Sequence, residues 1–166
     1  MRRIAALGVM LALALVQVTW APRLEIAGAL PNLILVAVVA ITWMQGVRAG
    51  LVWACVGGVL LDLTASGPIG PHALALLAAA YATSLWTRNL ERPNALHAAL
   101  TAVLATVAYS LALVLTHGVL GMPAMAAGTV ARLTIAAAIY NAALTPFAIE
   151  VMRRLRALVR DAPEPA

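Results

Sequence analysis

The sequence predicts an all-α integral membrane protein of six transmembrane helices, with both termini in the cytoplasm. Three observations carry this. Of 166 residues, 64% are hydrophobic and 10% charged, whereas a soluble domain has roughly 25% charged residues. A chain of this size cannot hide that much apolar surface from water, so the excess faces lipid. The apolar residues also fall into runs approaching the ~20 residues of a spanning helix, separated by short breaks. Finally, the arginines are distributed unequally between the two sets of breaks, as topology signals are. The length suits one domain: residues 1–155 form the membrane unit, and residues 156–166 a basic, then proline-rich, cytoplasmic tail. Nothing remains for a soluble catalytic domain.

The first span covers residues 4–20. Its start, Met1-Arg2-Arg3-Ile4, resembles a signal peptide, but Thr19-Trp20-Ala21-Pro22 is a poor cleavage site, so it reads as an uncleaved span. After the polar break Ala21-Pro22-Arg23-Leu24-Glu25, a second span runs from Leu30-Pro31 to Met44. Pro31 suits a first-turn position, where a missing N–H is harmless. This span is short, which favours little tilt or local thinning of the bilayer. Gln45-Gly46-Val47-Arg48 turns the chain into a third span that ends at Asp62-Leu63, followed by the glycine- and proline-rich stretch Gly67-Pro68-Ile69-Gly70-Pro71. The fourth, alanine-rich span covers 71–86. Residues 87–94 are the most polar internal loop. The fifth span covers 95–116 and the sixth about 125–152.

All eleven basic residues are arginine. With the termini inside, nine of them (Arg2, Arg3, Arg48, Arg88, Arg92, Arg153, Arg154, Arg156 and Arg160) are cytoplasmic, and Arg23 and Arg132 lie outside. That imbalance fixes the orientation. Trp20 falls at an outer end and Trp43, Trp53 and Trp86 toward inner ends, as an aromatic belt requires. The net charge of +5 therefore reports topology and contact with lipid, not nucleic-acid binding.

The third span carries small residues at every fourth position, Gly46, Gly50, Ala54 and Gly58, and the series ends in Asp62. Such positions share a helix face, and small side chains there let a second helix approach closely. The groove suits either another helix of the same bundle or the helix of a partner. Asp62 lies about 21 Å along the helix from Arg48, toward the outer surface. Its carboxylate has two candidate partners: the backbone N–H groups of the turn at Ser66–Gly70, which Gly67 and Gly70 shape, and Arg132, whose other fate is to snorkel to headgroups. In the sixth span, Tyr140, Asn141 and Thr145 precede Pro146, which removes a helical hydrogen bond and is expected to kink the helix. These polar groups fit ties between helices or a ligand pocket.

Catalytic patterns are missing: there is no phosphate loop, no nucleophile elbow and no H-E-x-x-H. His72, His97 and His117 are far apart near span ends, and the lone Cys55 has no disulfide partner. No span carries the chain of acids expected of a proton-driven transporter. The chain reads as non-enzymatic, without a metal or cofactor.

Pro31-Asn32-Leu33 opening an apolar span, Gly50-Leu51, Gly57-Gly58-Val59-Leu60-Leu61-Asp62-Leu63, then Gly67 and Gly70 before Ala73-Leu74, resemble the rod shape-determining MreD family. So do Tyr140-Asn141, Pro146 and the basic end Arg153-Arg154. The family usually has an acid after the proline, where this chain has Asn32. The resemblance implies a fold similar to the six-helix substrate-binding subunits of energy-coupling-factor vitamin transporters. It also implies a scaffold of the bacterial inner membrane that binds MreC and, through it, works with RodA, its transpeptidase partner and the actin-like MreB in cell-wall elongation. The alternative is a vitamin-type transporter subunit, which needs an enclosed polar pocket near the outer surface, built from the third-to-fourth turn and the sixth span.

Overall fold

A computed structural model of the chain describes residues 2–19, 31–65, 67–90, 94–123 and 125–160. Trp20, Arg23, Ser66, Arg92 and the tail from Asp161 lie outside the described residues. Six α-helices account for nearly everything described: α1 (Arg2–Thr19), α2 (Leu33–Gln45), α3 (Val47–Thr64), α4 (Pro71–Thr87), α5 (Ala95–Val119) and α6 (Ala127–Arg160). Three stretches are long and apolar enough to cross a membrane: Val47–Thr64, Ala95–Val119 and Ala127–Arg154.

The bundle is built around α2. Its sequence, Leu-Ile-Leu-Val-Ala-Val-Val-Ala-Ile-Thr, has no polar face, and a helix that is apolar all round belongs in an interior. Accordingly, Ile34, Val38, Val39 and Ala40 are inaccessible, and α2 touches each of the other five helices. The others follow one another around it in the order α1, α3, α4, α5, α6. Among the described residues α6 does not reach back to α1, so the ring has one opening. At 1.5 Å per residue α2 is only about 20 Å long, short of the ~30 Å hydrocarbon thickness. Large apolar side chains point outward from the ring, among them Val9, Leu111, Ile139 and Phe147.

Local chemistry sets the helix ends. Pro31 stands one residue outside the α2 cap instead of in the first turn; Asn32 is the cap, and its side chain accepts the Leu35 N–H at 2.9 Å. A single residue, Gly46, joins α2 to α3 at φ +85° and donates its N–H to the Thr42 carbonyl. L side chains rarely adopt that φ. Gly70 precedes α4 at φ +127°, with Pro71 opening the helix. Asn94 caps α5 by accepting the His97 N–H at 2.9 Å. α6 continues through Pro146, whose missing N–H leaves the Ala142 carbonyl without its helical donor.

Candidate functional site

The small-residue face of α3 is filled by this chain's own helices. Gly50, Ala54, Gly57 and Gly58 are buried. A methyl added to Gly50 would overlap the Thr42 side chain of α2, and one on Gly57 would stand 2.6 Å from Ile34 Cγ2. A methyl on Gly58 would run into the backbone of Ala73 on α4. Of the two occupants considered for this groove, helices of the same bundle take it, and no open channel for a partner's helix is left there. Gly46, by contrast, is exposed with nothing around it and serves the α2–α3 link.

Asp62, one helical turn beyond Gly58, closes the C-terminal end of that contact. Its Oδ2 accepts N–H bonds from Gly70 (2.8 Å) and Ala73 (3.2 Å); its Oδ1 accepts the His72 N–H (3.0 Å) and lies 2.9 Å from His72 Nδ1. The carboxylate is wholly inaccessible. The first N–H groups of a helix have no partner within it and carry a partial positive charge, so one buried acid satisfies the start of α4. When its proton is on Nδ1, His72 adds a fourth donor. The turn thus takes the carboxylate, and Arg132 does not: it is exposed on α6 and makes no ion pair among the described residues. Gly67 is exposed in the same turn, and a methyl added there would stand 4.0 Å from Met122 Cε. The His72 ring, which is half-buried, tilts against Tyr109 of α5 at a centroid distance of 6.3 Å.

A second polar cluster ties three helices together below Tyr109. Asn141 on α6 accepts the Asn32 backbone N–H at 3.1 Å and donates to Thr106 Oγ1 on α5 at 3.0 Å. Asn141 is fully inaccessible and Thr106 nearly so. Thr145 returns its hydroxyl to the Asn141 carbonyl one turn before the broken bond at Pro146. Gln17 of α1 completes the group by accepting the Ile34 N–H at 3.2 Å. Tyr140 and Pro146 are half-buried on α6. His72, Thr106, Tyr109 and Gln17 are therefore site residues that their sequence positions do not announce. They become visible only once α2, α4, α5 and α6 are brought side by side.

Above this cluster, between α5 and α6, a cleft of about 460 Å³ opens. Asn32, Thr106, Tyr109 and Asn141 line its inner end, and apolar residues such as Leu113, Val130 and Leu133 line the rest. It follows α5 from Thr106 to Gly118, about 18 Å at 1.5 Å per residue, and meets Met122 and Pro123 in the α5–α6 connection. A smaller hollow of about 200 Å³ lies beside it under the α3–α4 turn and shares His117 and Met122 with it. No cluster of histidine, cysteine, aspartate or glutamate suited to a metal occurs among the described residues. The arrangement offers neutral hydrogen-bonding groups, packed helix contacts and one sealed carboxylate.

No curated protein and no solved structure gives a significant match to the chain. A family model described as rod shape-determining protein MreD matches residues 1–155. That is nearly the whole chain, from the first helix to the basic end of α6, and the match agrees with the all-helical, lipid-facing bundle described above: the chain belongs to the MreD family of membrane proteins, which act in rod-shape determination.

Proposed function

We propose that this protein is a non-enzymatic scaffold of the bacterial inner membrane that holds the membrane helix of MreC and thereby helps position the cell-wall elongation machinery. Family membership over residues 1–155 carries this reading. In the proposal all six helices cross the membrane, with the termini in the cytoplasm. Those shorter than the bilayer, α2 above all, are accommodated by local thinning. The likeness to energy-coupling-factor subunits belongs to the same proposal. Binding uses the outside of the bundle, because the Gly50–Ala54–Gly58 face is taken by α2 and α4. Among the described residues α1 and α6 do not touch, and in the proposal the MreC helix lies between them. Contact with RodA, its transpeptidase partner and MreB runs through MreC.

The test is purification of the full chain from membranes in mild detergent. Co-purification with MreC, a single-pass protein with a periplasmic domain, is the expected result. The vitamin-transporter reading has one observation in its favour, the α5–α6 cleft. Co-purification with an ATPase module and no MreC would decide for it and against the scaffold. A C-terminal fluorescent or phosphatase fusion that reports a periplasmic end would overturn the six-span orientation.

A further inference from the structure

We infer that the α5–α6 cleft is a binding site for a neutral amphiphile, a molecule with an apolar body and one uncharged hydrogen-bonding end such as a hydroxyl, ester or amide. The volume of about 460 Å³ lies within the 300–1,000 Å³ of ligand pockets. The lining divides by chemistry. Its floor, Asn141 with Thr106, is mutually bonded and closed to access. Higher up, Ser110 on α5 and Thr134 on α6 both line the cleft, are half-buried and make no side-chain hydrogen bond among the described residues.

An unpaired hydroxyl in an apolar setting is unfavourable, and more so at membrane depth, where water does not compete for it. Two of them on facing helices mark where a ligand's polar end is held. Its body then lies against Leu113, Val130 and Leu133. No arginine, aspartate or glutamate lines the cleft, and His117, seven residues along α5 from Ser110, is the one lining side chain able to carry a positive charge; a nucleotide, phosphate or carboxylate whose charged end sat between Ser110 and Thr134 would therefore have no counter-ion beside it. The site is separate from the outer faces used in the scaffold reading, and either conclusion can fail without the other.

The experiment uses the full chain in lipid nanodiscs and a photoactivatable monoacylglycerol with a diazirine in its acyl chain. Crosslinks concentrated on the facing segments around Leu113 and Leu133 are expected, with the matching monoacylglycerol phosphate labelling at least about tenfold less. Loss of both hydroxyls in Ser110→Val/Thr134→Val is expected to raise the half-saturating probe concentration about tenfold. Leu133→Trp, which fills the cleft with apolar bulk, is expected to abolish labelling. Labelling spread evenly over α1 and the outward side of α5, or equal labelling by the phosphate probe, would overturn the inference, and neither observation needs a variant to fold. Mass spectrometry of the organic extract of protein purified from membranes separates the sources. A neutral lipid or a neutral water-soluble compound, in stoichiometric amount, supports the site. A charged compound, or water only, refutes it.

Discussion

Gly58→Ala adds one methyl where α3 and α4 touch through backbone. The new carbon would stand 2.6 Å from the Ala73 amide nitrogen and 2.9 Å from its Cβ, where ordinary contact begins at 3.4 Å. A rotamer change cannot relieve this, because the obstacle is main chain, so the helices must part by about 1 Å. Overpacking of this kind costs about 1–3 kcal/mol. The same movement pulls the Ala73 N–H away from Asp62 Oδ2, already at 3.2 Å; a hydrogen bond to a charged acceptor contributes about 1.5–3 kcal/mol. Together the expected loss is about 3 kcal/mol. It can be measured by equilibrium unfolding in mixed micelles, with Gly8→Ala as reference. Gly8 is exposed within α1 and nothing lies within 4 Å of its added methyl, so that change should be neutral or stabilise by up to about 1 kcal/mol. If Gly58→Ala unfolds within about 0.5 kcal/mol of Gly8→Ala, the close approach of α3 to α4 is refuted. Gly50→Ala provides an internal contrast. There the obstacle is the Thr42 side chain, so adding Thr42→Ala should recover part of the loss, whereas no side-chain truncation rescues position 58.

Three further outcomes follow from the polar groups. Asp62→Ala strands the Gly70, His72 and Ala73 N–H groups and should cost at least about 3 kcal/mol, while Arg132→Ala should stay within about 0.5 kcal/mol; an Asp62→Arg/Arg132→Asp swap that restores stability would contradict the geometry. Asn141→Leu removes the link from α6 to Asn32 and Thr106, and a double-mutant cycle with Thr106→Val should give a coupling of about 0.6–1.7 kcal/mol; zero coupling would remove the 3.0 Å bond. Thr83 is fully inaccessible, and its hydroxyl has no partner among the described residues, so Thr83→Val should be neutral or stabilising by about 1 kcal/mol in a thermal scan; a clear loss of stability would reveal a hidden acceptor.

Most helix boundaries were legible because punctuation and hydropathy agree at them. Asn94 before an alanine-rich run, Gly70-Pro71 and Gly46 each mark an end that local chemistry enforces. The end of α6 is less so, since the helix continues past the apolar run to Arg160. The small residues of α3 announced a close helix contact, but periodicity does not say which helix fills a groove; that depends on the order around α2, a long-range property. Arg132 and Asp62 share the outer half of the sequence-based topology, yet depth alone does not bring two side chains together. The Gly70–Pro71 turn lies next to Asp62 in the chain and offers it unpaired donors first. Asn32 follows a proline and opens an apolar run, which is the sequence mark of a cap; its tie to Asn141 is not written in any local pattern.

The position of α2 also has a consequence in time. The chain makes its central helix second, yet the groups that enclose it arrive last: Asn32 bonds to Asn141, 109 residues later. While the ribosome is still producing α3 to α5, one flank of α2 waits without its final neighbour. A chain arrested before α6 leaves the Asn32 N–H without its acceptor, whereas the Thr106 hydroxyl keeps its bond to the Ala102 carbonyl within α5. Assembly should therefore be completed only when the last helix docks, and quality control that senses stray polar groups would act on truncated chains and spare the finished bundle.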